Sequence, residues 1–301
     1  MKKNTPLKLK EFVSKPLFDE KIILNKDPNY PKISIVTPSY SQVEFLERTI
    51  LSVLNQNYPN LEYIIIDGGS TDGSVEIIKK YEKYLTYWVS EKDKGQADAI
   101  NKGFKKSTGE ILAWLNSDDT YLPGIFYKIA KDFRQNSEVD LIFGNIYFVD
   151  DTDKRIRELR FTEFDFSTLI YEGGNLHQTG TFWTRKIYEK VGGLNSNYKF
   201  CMDYDFFCRV AKAGKLCHMR DFFANFRMHA NAKSSTISHI GHKEHKEIMR
   251  RYIPKSMNKW NFRYKKIICI VRRFYKYIIQ GDIDYILKGF IRRIMNCGRK
   301  K

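Results

Sequence analysis

The sequence predicts an α/β fold, in which a mainly parallel sheet is flanked by helices and is followed by a basic helical extension at the C-terminus. Two observations predict the sheet and its flanking helices. The predicted strands are apolar without strict alternation of apolar and polar residues, and helical segments lie between them. A third, the concentration of positive charge near the C-terminus, carries the extension. The length of 301 residues suits one large domain or a domain with an appendage, and a hydrophobic content of 42% is enough for a packed core.

The first half of the chain alternates strand and helix. A polar, partly extended lead-in covers residues 1–30. The predicted strands span 32–38, 62–67 and 86–90, with a fourth that ends at Leu115, and the predicted helices span 43–56, 73–84 and 96–104. Strands separated by helices indicate parallel neighbours with both faces of the sheet covered.

The second half is more mixed. Residues 140–161 predict a hairpin around an acidic turn. Strands are predicted at 177–185 and 215–230, and helices at 185–193 and 202–214. Together with the first half, these elements predict a single α/β domain over residues 31–240.

Residues 241–301 form a separate tail in this prediction. From His245 to Lys301 there are 17 Lys and Arg against 3 Asp and Glu, so this segment carries +14 of the net charge of +17. Two amphipathic helices with basic backs are predicted within 262–295, on either side of Gly281. The apolar face of the first helix consists of Ile267, Ile270, Val271, Phe274 and Ile278.

Composition excludes several classes of protein. The sequence contains no run of about 18 apolar residues, so no transmembrane helix is expected. The N-terminus lacks the apolar core of a signal peptide. The five cysteines form no CxxC pair and no even framework, which predicts free thiols in a reducing cytoplasm.

Polar motifs follow four of the predicted strands. They are TPSY at 37–40, DGGSTDG at 67–73, SEKDKGQ at 90–96 and NSDD at 116–119. In open parallel sheets, ligands bind beyond the carboxyl ends of the strands. The four motifs are therefore expected to line one site.

The paired carboxylates of Asp118 and Asp119 need an explanation, because adjacent negative charges repel each other. Mg²⁺ prefers carboxylate oxygens and is usually shared with substrate phosphates, so the pair predicts a cation held against a diphosphate. The alternative is a helix N-cap before residue 124. The DGGSTDG segment matches neither the phosphate-binding loop of ATPases, nor the dinucleotide-binding glycine motif, nor a calcium loop.

The ordered series of motifs resembles family-2 glycosyltransferases with the Rossmann-like GT-A fold. The resemblance covers roughly residues 32–235 and rests on TPSY, DGGSTDGS, SEKDKGQADAINKGF, LNSDD, HQTGTFWTR, VGGLNSNYKFCMDYDFF and FRMHANAKS. It implies transfer of a sugar from a nucleotide diphosphate to an acceptor hydroxyl, with inversion at the anomeric carbon. The acceptors it implies are glycans or lipid-linked molecules in cell-surface polysaccharide synthesis.

The resemblance also implies roles for individual residues. Those expected to bind the donor nucleotide are Thr37, Pro38, Tyr40, Asp67, Gly68, Asp93, Gly95, Asn101, Ser117 and Asp118. Asp118 and Asp119 match the family's metal-binding element for Mn²⁺ or Mg²⁺, and His229 is a further candidate ligand. Asp203 matches the catalytic base, with Asp205 as the fallback, although either could simply cap the helix.

Two positions depart from the family pattern. Gly68 stands where many relatives have a second Asp that contacts uracil, so a UDP, dTDP or GDP donor is left open. Met202 replaces the Glu that precedes the catalytic Asp. His177 and Gln178 match positions near the acceptor side, with a buried structural histidine as the alternative.

The tail has two interpretations. Basic amphipathic helices bind anionic lipid, which predicts peripheral attachment to the inner face of the cell membrane. The alternative is that the helices pack their apolar faces on the body or on a partner chain. No nucleic-acid partner is expected, because converging acids would repel a polyanion. A nucleotidyltransferase of similar architecture is the rival enzyme, but no Gly/Arg/Lys-rich phosphate loop follows the first strand.

Overall fold

A computed structural model describes residues 9–173, 176–230, 232–233 and 238–297 of the chain. Its centre is a nine-stranded sheet. The strands are β1 (Ile33–Ser39), β2 (Leu61–Asp67), β3 (Tyr87–Ser90), β4 (Ile111–Trp114), β5 (Thr120–Tyr121), β6 (Leu141–Val149), β7 (Arg155–Leu159), β8 (Thr181–Thr184) and β9 (Leu216–Arg227). Their order is β3-β2-β1-β4-β8-β6-β9-β5, and β7 pairs with β6 outside this path.

Most of the residue pairs in the sheet join parallel strands. β1 lies between β2 and β4 and is parallel to both, and β3 and β9 are parallel to β2 and β6. β8 is antiparallel to β4 and β6, and β5 is antiparallel to β9. The predicted hairpin is present as β6 and β7. The predicted fold class, a mainly parallel sheet flanked by helices, is thus confirmed.

The helices cover the sheet and continue beyond it. They are α1 (Leu9–Ser14), α2 (Glu20–Leu24), α3 (Val43–Leu54), α4 (Ser74–Tyr81), α5 (Gln96–Lys106), α6 (Ile125–Gln135), α7 (Phe166–Glu172), α8 (Arg185–Val191), α9 (Met202–Ala213), α10 (Ser238–Tyr252), α11 (Lys259–Ile279) and α12 (Ile283–Cys297). All seven residues of β1 and of β2 are buried, as expected for strands covered on both faces. α5 packs on these strands at Gly103, where a Cβ would lie only 2.4 Å from Cγ1 of Val36.

The lead-in differs from the prediction of a partly extended segment. α1 and α2 bury Phe12, Val13 and Ile23 against the body. The Asn55 amide donates to the carbonyls of Phe12 and Lys15, which satisfies groups at the C-terminal end of α1. In the sequence, lysines lie among these three apolar residues, so no amphipathic pattern is visible. The helices were not predicted for this reason.

The C-terminal helices have different relations to the body. α10 packs on it through the fully buried Ile248. α11 packs on α7, and its buried residues are Cys269 and Tyr277. The Tyr277 hydroxyl donates to the Arg160 carbonyl, which precedes α7. Within the described ranges, no helix combines the length and apolar character needed to cross a bilayer.

Candidate active site

The ends of three parallel strands lie level at one edge of the sheet. Ser39 of β1 pairs with Asp67 of β2, and Asp67 pairs with Ser90 of β3. β4 continues beside β1, because the Leu115 N–H donates to the carbonyl of Val36 at 2.9 Å. The loops after these four strands, which contain the predicted motifs, therefore start from a common rim.

Asp67 organises the loop after β2. Its side chain is fully buried and accepts hydrogen bonds from the Gly69 N–H at 3.1 Å and from the Ser70 N–H at 2.8 Å. The hydroxyls of Ser70 and Ser90 donate to the same carboxylate at 2.6 Å. Asp67 thus ties the loops after β2 and β3 together beneath the rim.

Gly68 lies between two residues predicted to bind the nucleotide. A Cβ at this position would be 2.9 Å from Oδ2 of Asp93 and 3.1 Å from Cδ2 of Tyr40. Tyr40 is 65% exposed, so its ring forms an open wall of this gap. The Asp93 carboxylate accepts from the Gly95 N–H at 2.7 Å, and Gly95, with φ 109°, immediately precedes α5. Glycine at 68 keeps the space between Tyr40 and Asp93 clear.

The remaining predicted nucleotide-binding residues lie deeper or elsewhere. Thr37, Pro38 and Ser117 are buried, and the Thr37 hydroxyl is 3.1 Å from that of Tyr63. Asn101 differs from the prediction. Its amide donates to the Leu194 carbonyl at 2.8 Å and accepts from the Leu194 N–H at 2.9 Å, so both polar ends brace the loop between α8 and α9.

The two adjacent carboxylates have different environments. Asp119 is fully buried, and its oxygens accept from the Arg227 N–H at 3.0 Å and the Thr179 hydroxyl at 2.9 Å. Burial, and next the charge of Asp118, raise the pKa of Asp119 well above its usual value. The Asp119 side chain therefore connects the loop after β4 to β9 and to the Thr179 turn.

Asp118 is the more accessible of the two. Its side chain is 19% exposed, and Oδ2 lies 3.1 Å from Nε2 of His229. The His229 ring packs on Phe45 of α3, with 4.8 Å between ring centroids. This contact fixes the imidazole beside the carboxylate, so the two predicted ligands do come together.

Arg227, which was not predicted, binds the main chain of the loop that carries Asp118. Its buried guanidinium donates from Nε to the Asp118 carbonyl at 2.9 Å and pairs with Asp153 at 2.6 Å. Arg48 of α3 pairs with the other oxygen of Asp153 at 2.9 Å. Two arginines thus bind the acidic turn between β6 and β7 to the loop that carries Asp118. The signal in the sequence was an arginine two residues before His229, at the end of a strand.

Asp203 lies in the first turn of α9. The Tyr204 N–H donates to it at 2.7 Å, and burial raises the pKa of its carboxyl above the usual value. The charge of Lys233 acts in the opposite direction on this pKa, so the ammonium is close by. Lys233 also donates to the side-chain Oε1 of Gln96 at 2.7 Å, and the Gln96 Nε2 donates to Oδ1 of Asn116 at 2.8 Å. Lys233, Gln96 and Asn116 thus connect the Asp203 side of the rim to the NSDD loop, a link that sequence spacing does not reveal.

Asp205, the fallback base, has a structural environment. It is 1% exposed and forms ion pairs with Arg209 and Arg251, both at 2.9 Å. Two guanidinium partners occupy its oxygens, so it joins α9 to α10. Asp203, by contrast, has no arginine partner among its described contacts.

Glu244 of α10 supplies a carboxylate close to the position where Met202 departs from the family pattern. It accepts from the N–H groups of Lys199, Phe200 and Cys201 at 2.8–2.9 Å, just before α9 begins. Burial opposes its ionisation, but these donors lower the pKa of Glu244 overall. Its charge contributes to the raised pKa of Asp203. A residue 42 positions from Met202 thus places a negative charge near Asp203.

His177 and Gln178 lie beside the Thr179 turn. The His177 ring contacts Phe226 and Phe148 with centroids at 4.5 and 6.1 Å. Burial lowers the pKa of His177 to about 4, so the ring is neutral at neutral pH. These contacts match the buried structural histidine that was the alternative interpretation.

The donor atoms at the rim fit a hard divalent cation. Such ions are commonly held by one or two protein carboxylates together with substrate phosphates. Asp118 offers an accessible carboxylate and His229 an imidazole nitrogen next to it. No cluster of three or more His, Cys, Asp or Glu that could hold a metal occurs in the described ranges.

Comparison with known proteins identifies the class. S. aureus TarS in complex with UDP-GlcNAc has a TM-score of 0.63 at 18% identity, covering 81% of this chain and 73% of the TarS chain. The mannosyltransferase PcManGT of Pyrobaculum calidifontis, in complex with GDP-Man and Mn²⁺, has a TM-score of 0.55 at 16% identity and covers 88% and 74%. The fold is therefore that of GT-A glycosyltransferases.

Sequence comparison identifies the family. The family model for glycosyl transferase family 2 matches residues 34–209, and the chain belongs to this family. An uncharacterised glycosyltransferase of Nostoc sp. is 29% identical over 241 residues, which are 74% of each chain. Another from Haemophilus influenzae is 25% identical over 249 residues, 77% of this chain and 76% of the relative. The chain is thus a glycosyltransferase, as the sequence motifs predicted.

Proposed function

We propose that this glycosyltransferase moves a sugar, with inversion, from a nucleoside diphosphate donor to a hydroxyl group of a glycan or a lipid-linked acceptor. The observation that carries this proposal is the hydrogen-bonded series Lys233–Gln96–Asn116, which joins the Asp203 side of the rim to the Asp118 side. A transfer reaction needs a basic group near the acceptor and stabilisation of the leaving diphosphate, and we assign both to this rim.

The nucleotide is proposed to occupy the gap between Tyr40 and Asp93. Gly68 leaves this gap open, and Tyr40 offers an exposed ring on which a base can stack. Thr37 and Asp67 lie beneath it as buried, hydrogen-bonded support. A donor of the UDP, dTDP or GDP type fits this description, since each presents a planar base.

Asp203 is proposed as the base that accepts the proton of the acceptor hydroxyl. Its position in the first turn of α9 places it near the positive end of the helix, which holds a carboxylate in place. The raised pKa makes its carboxylate a stronger proton acceptor than an exposed Asp.

A divalent cation, Mn²⁺ or Mg²⁺, is proposed to bind at Asp118 and His229, with Asp119 supporting the loop that carries them. When bound, the ion neutralises negative charge on the departing diphosphate. The side chains of the protein contribute independently of it: Lys233 adds positive charge at the same rim, and Arg227 holds the Asp118 main chain.

The process we propose is synthesis of a cell-surface polysaccharide in the cytoplasm, at the inner face of the membrane. The support is the basic tail, which would keep the enzyme close to lipid-linked acceptors.

A thermal-shift panel tests the donor. The full chain is heated with UDP, GDP, dTDP and CMP derivatives, with and without Mn²⁺, because a ligand that binds only the folded state raises Tm. One diphosphate is expected to stabilise the protein, and more strongly with Mn²⁺. In Asp118→Asn the added effect of Mn²⁺ should disappear while the metal-free shift remains. If no nucleotide stabilises the wild-type protein, the proposed function is wrong.

A further inference from the structure

The two C-terminal helices expose an unusual number of large apolar side chains. In the described part of the chain, ten of the seventeen exposed large hydrophobic residues lie between 260 and 291. We define the apolar stripe of α11 as its exposed residues at spacings of three and four: Trp260, Tyr264, Ile267, Val271, Tyr275 and Ile278. On α12, Ile283, Leu287 and Ile291 are exposed at a spacing of four. Such spacing places side chains on one face of a helix.

The stripe is not the face that packs on the body. α11 contacts α7 through its opposite face, which includes the buried Cys269 and Tyr277. Arg273 on that face pairs with Glu172 at 2.8 Å, and the Tyr277 hydroxyl donates to the Arg160 carbonyl at 2.7 Å. The alternative interpretation of the tail was packing on the body. α11 does pack on the body, but through the other face, and the apolar stripe stays exposed. Ile267, Val271 and Ile278 are each more than half exposed.

Positive charge flanks the stripe on both sides. With 3.6 residues per turn, Arg263 and Lys266 lie on one side of it and Lys265 and Arg272 on the other. The acids of this segment are already paired: Asp282 bonds to Arg160 of the body, and Asp284 pairs with Lys288 at 3.4 Å.

This arrangement selects among possible occupants. A second copy of the chain docked stripe to stripe would bring two strongly positive segments together, each from the region that carries +14. An anionic bilayer instead offers acyl chains to the stripe and phosphates to the flanking cations. Trp260, Tyr264 and Tyr275 also have the amphipathic rings that favour the boundary between headgroups and hydrocarbon.

The geometry points to the apolar stripe of α11 and its flanking cations as a surface that docks on an anionic lipid bilayer. The helix lies in the plane of the interface, with its stripe among the acyl chains and its basic residues at the phosphates. The face that packs on α7 stays engaged, so docking requires no rearrangement of the body. This surface is independent of donor chemistry, and it deepens the proposed function only by bringing the enzyme to the bilayer.

Vesicle flotation of the full chain tests this surface without nucleotide. The wild-type protein is expected to float with vesicles of phosphatidylcholine containing about 30 mol% phosphatidylglycerol and to stay in solution with pure phosphatidylcholine. Ile267→Gln with Val271→Gln and Ile278→Gln should weaken partitioning by about tenfold or more, because their apolar side chains no longer favour the acyl region. Arg263→Gln with Lys266→Gln should also weaken it, and should flatten its dependence on salt.

A matched control separates docking from general surface hydrophobicity. Leu24→Gln with Ile156→Gln changes two exposed apolar residues elsewhere, 42% and 54% exposed, and should float like the wild type. The Tm and nucleotide-induced shift of every variant report on the fold and on the proposed function separately.

Two outcomes would overturn the docking surface. One is a wild-type protein that does not bind anionic vesicles. This includes the case in which light scattering shows that the wild type is a dimer and that the stripe variant is a monomer. The other is a stripe variant that floats as well as the control.

Discussion

At the scale of single residues, neighbouring acids in this protein serve different purposes. Asp119 is buried and accepts from the protein on both oxygens, whereas Asp118 reaches the rim beside His229. In α9, Asp205 pairs with two arginines. The pKa of Asp203, two positions earlier, is raised by burial and partly lowered by the charge of Lys233. The surroundings, rather than the residue type, decide which carboxylate is available for chemistry.

Asp203→Asn should retain donor binding and lose transfer, because the amide cannot accept the hydroxyl proton. The nucleotide-induced Tm shift measures the first property and product formation the second. Normal turnover in this variant would refute the assignment of the base.

The pH dependence of the wild-type enzyme reports on the same residue. Asp203 must be ionised to act, and burial raises its pKa above the ordinary 3.8. The rate of transfer should therefore fall as the pH falls through that raised pKa, so the acidic limb of the kcat/KM profile should lie above pH 3.8. An acidic limb at or below that value would contradict the assignment.

Gly68→Ala should weaken nucleotide binding by about tenfold, which corresponds to a lost contact of about 1.4 kcal/mol. The new Cβ would meet Asp93 at 2.9 Å and Tyr40 at 3.1 Å, and so displace both walls of the proposed base site. Titration calorimetry with the preferred nucleotide measures the effect. Gly289→Ala is the control, since a Cβ there has no neighbour within 4 Å. Unchanged affinity in Gly68→Ala would place the nucleotide elsewhere.

The sequence predicted candidate residues for the rim. It predicted only part of the contacts that these residues make in the structure. Motif order brought Asp118, His229 and Asp203 into consideration, because strand ends and helix starts are visible as local patterns. Long-range contacts are not visible in such patterns. The roles of Arg227, Lys233 and Glu244 depend on partners dozens to more than a hundred positions away, and the bracing role of Asn101 depends on where the Leu194 loop crosses α5.

At the scale of elements, contacts between α9 and α10 stabilise the segment that carries Asp203. Glu244 binds three N–H groups just before α9, and Arg251 reaches Asp205. The position of Asp203 therefore depends on α10, which follows the segment matched by the family model.

Asp205→Asn should lower the free energy of unfolding by about 3 kcal/mol, because it leaves two arginines without their buried partner. Glu247→Gln is the matched control: Gln keeps an oxygen that accepts from the Tyr198 hydroxyl, and the change weakens an exposed contact of Arg251 at 3.4 Å, so it should cost less than about 0.5 kcal/mol. Urea unfolding measures both variants. Equal stability of the two would mean that the buried pair contributes nothing.

At the scale of the whole molecule, the fold class and most strands could be predicted because apolar runs and turn residues are local signals. The helices α1 and α2 were not predicted, since their apolar residues are few and widely spaced among charges. α10 lies almost entirely within the predicted helical tail of residues 241–301, but its packing on the body was not predicted. Hydrophobic periodicity predicted the apolar face with Ile267, Val271 and Ile278 and left open whether that face meets a membrane or the body. The face that packs on the body is the one with Cys269 and Tyr277, which the periodicity did not mark.

Shortening the chain should show where the body ends. Residues 1–258 keep α10 and are expected to unfold cooperatively and to bind nucleotide. Residues 1–243 lose Glu244 and the fully buried Ile248, and should have a much lower Tm or no cooperative transition. Thermal unfolding compares the two. Equal transitions would show that α10 is dispensable to the body.

Arg227 has a consequence for engineering. Its guanidinium, together with Arg48, anchors the Asp150–Asp153 reverse turn to the main chain of Asp118. Swapping that turn for the corresponding one of a relative would change the anchor without touching any residue at the rim. Libraries intended to alter nucleotide preference should therefore leave the turn intact and vary the walls around Gly68 instead.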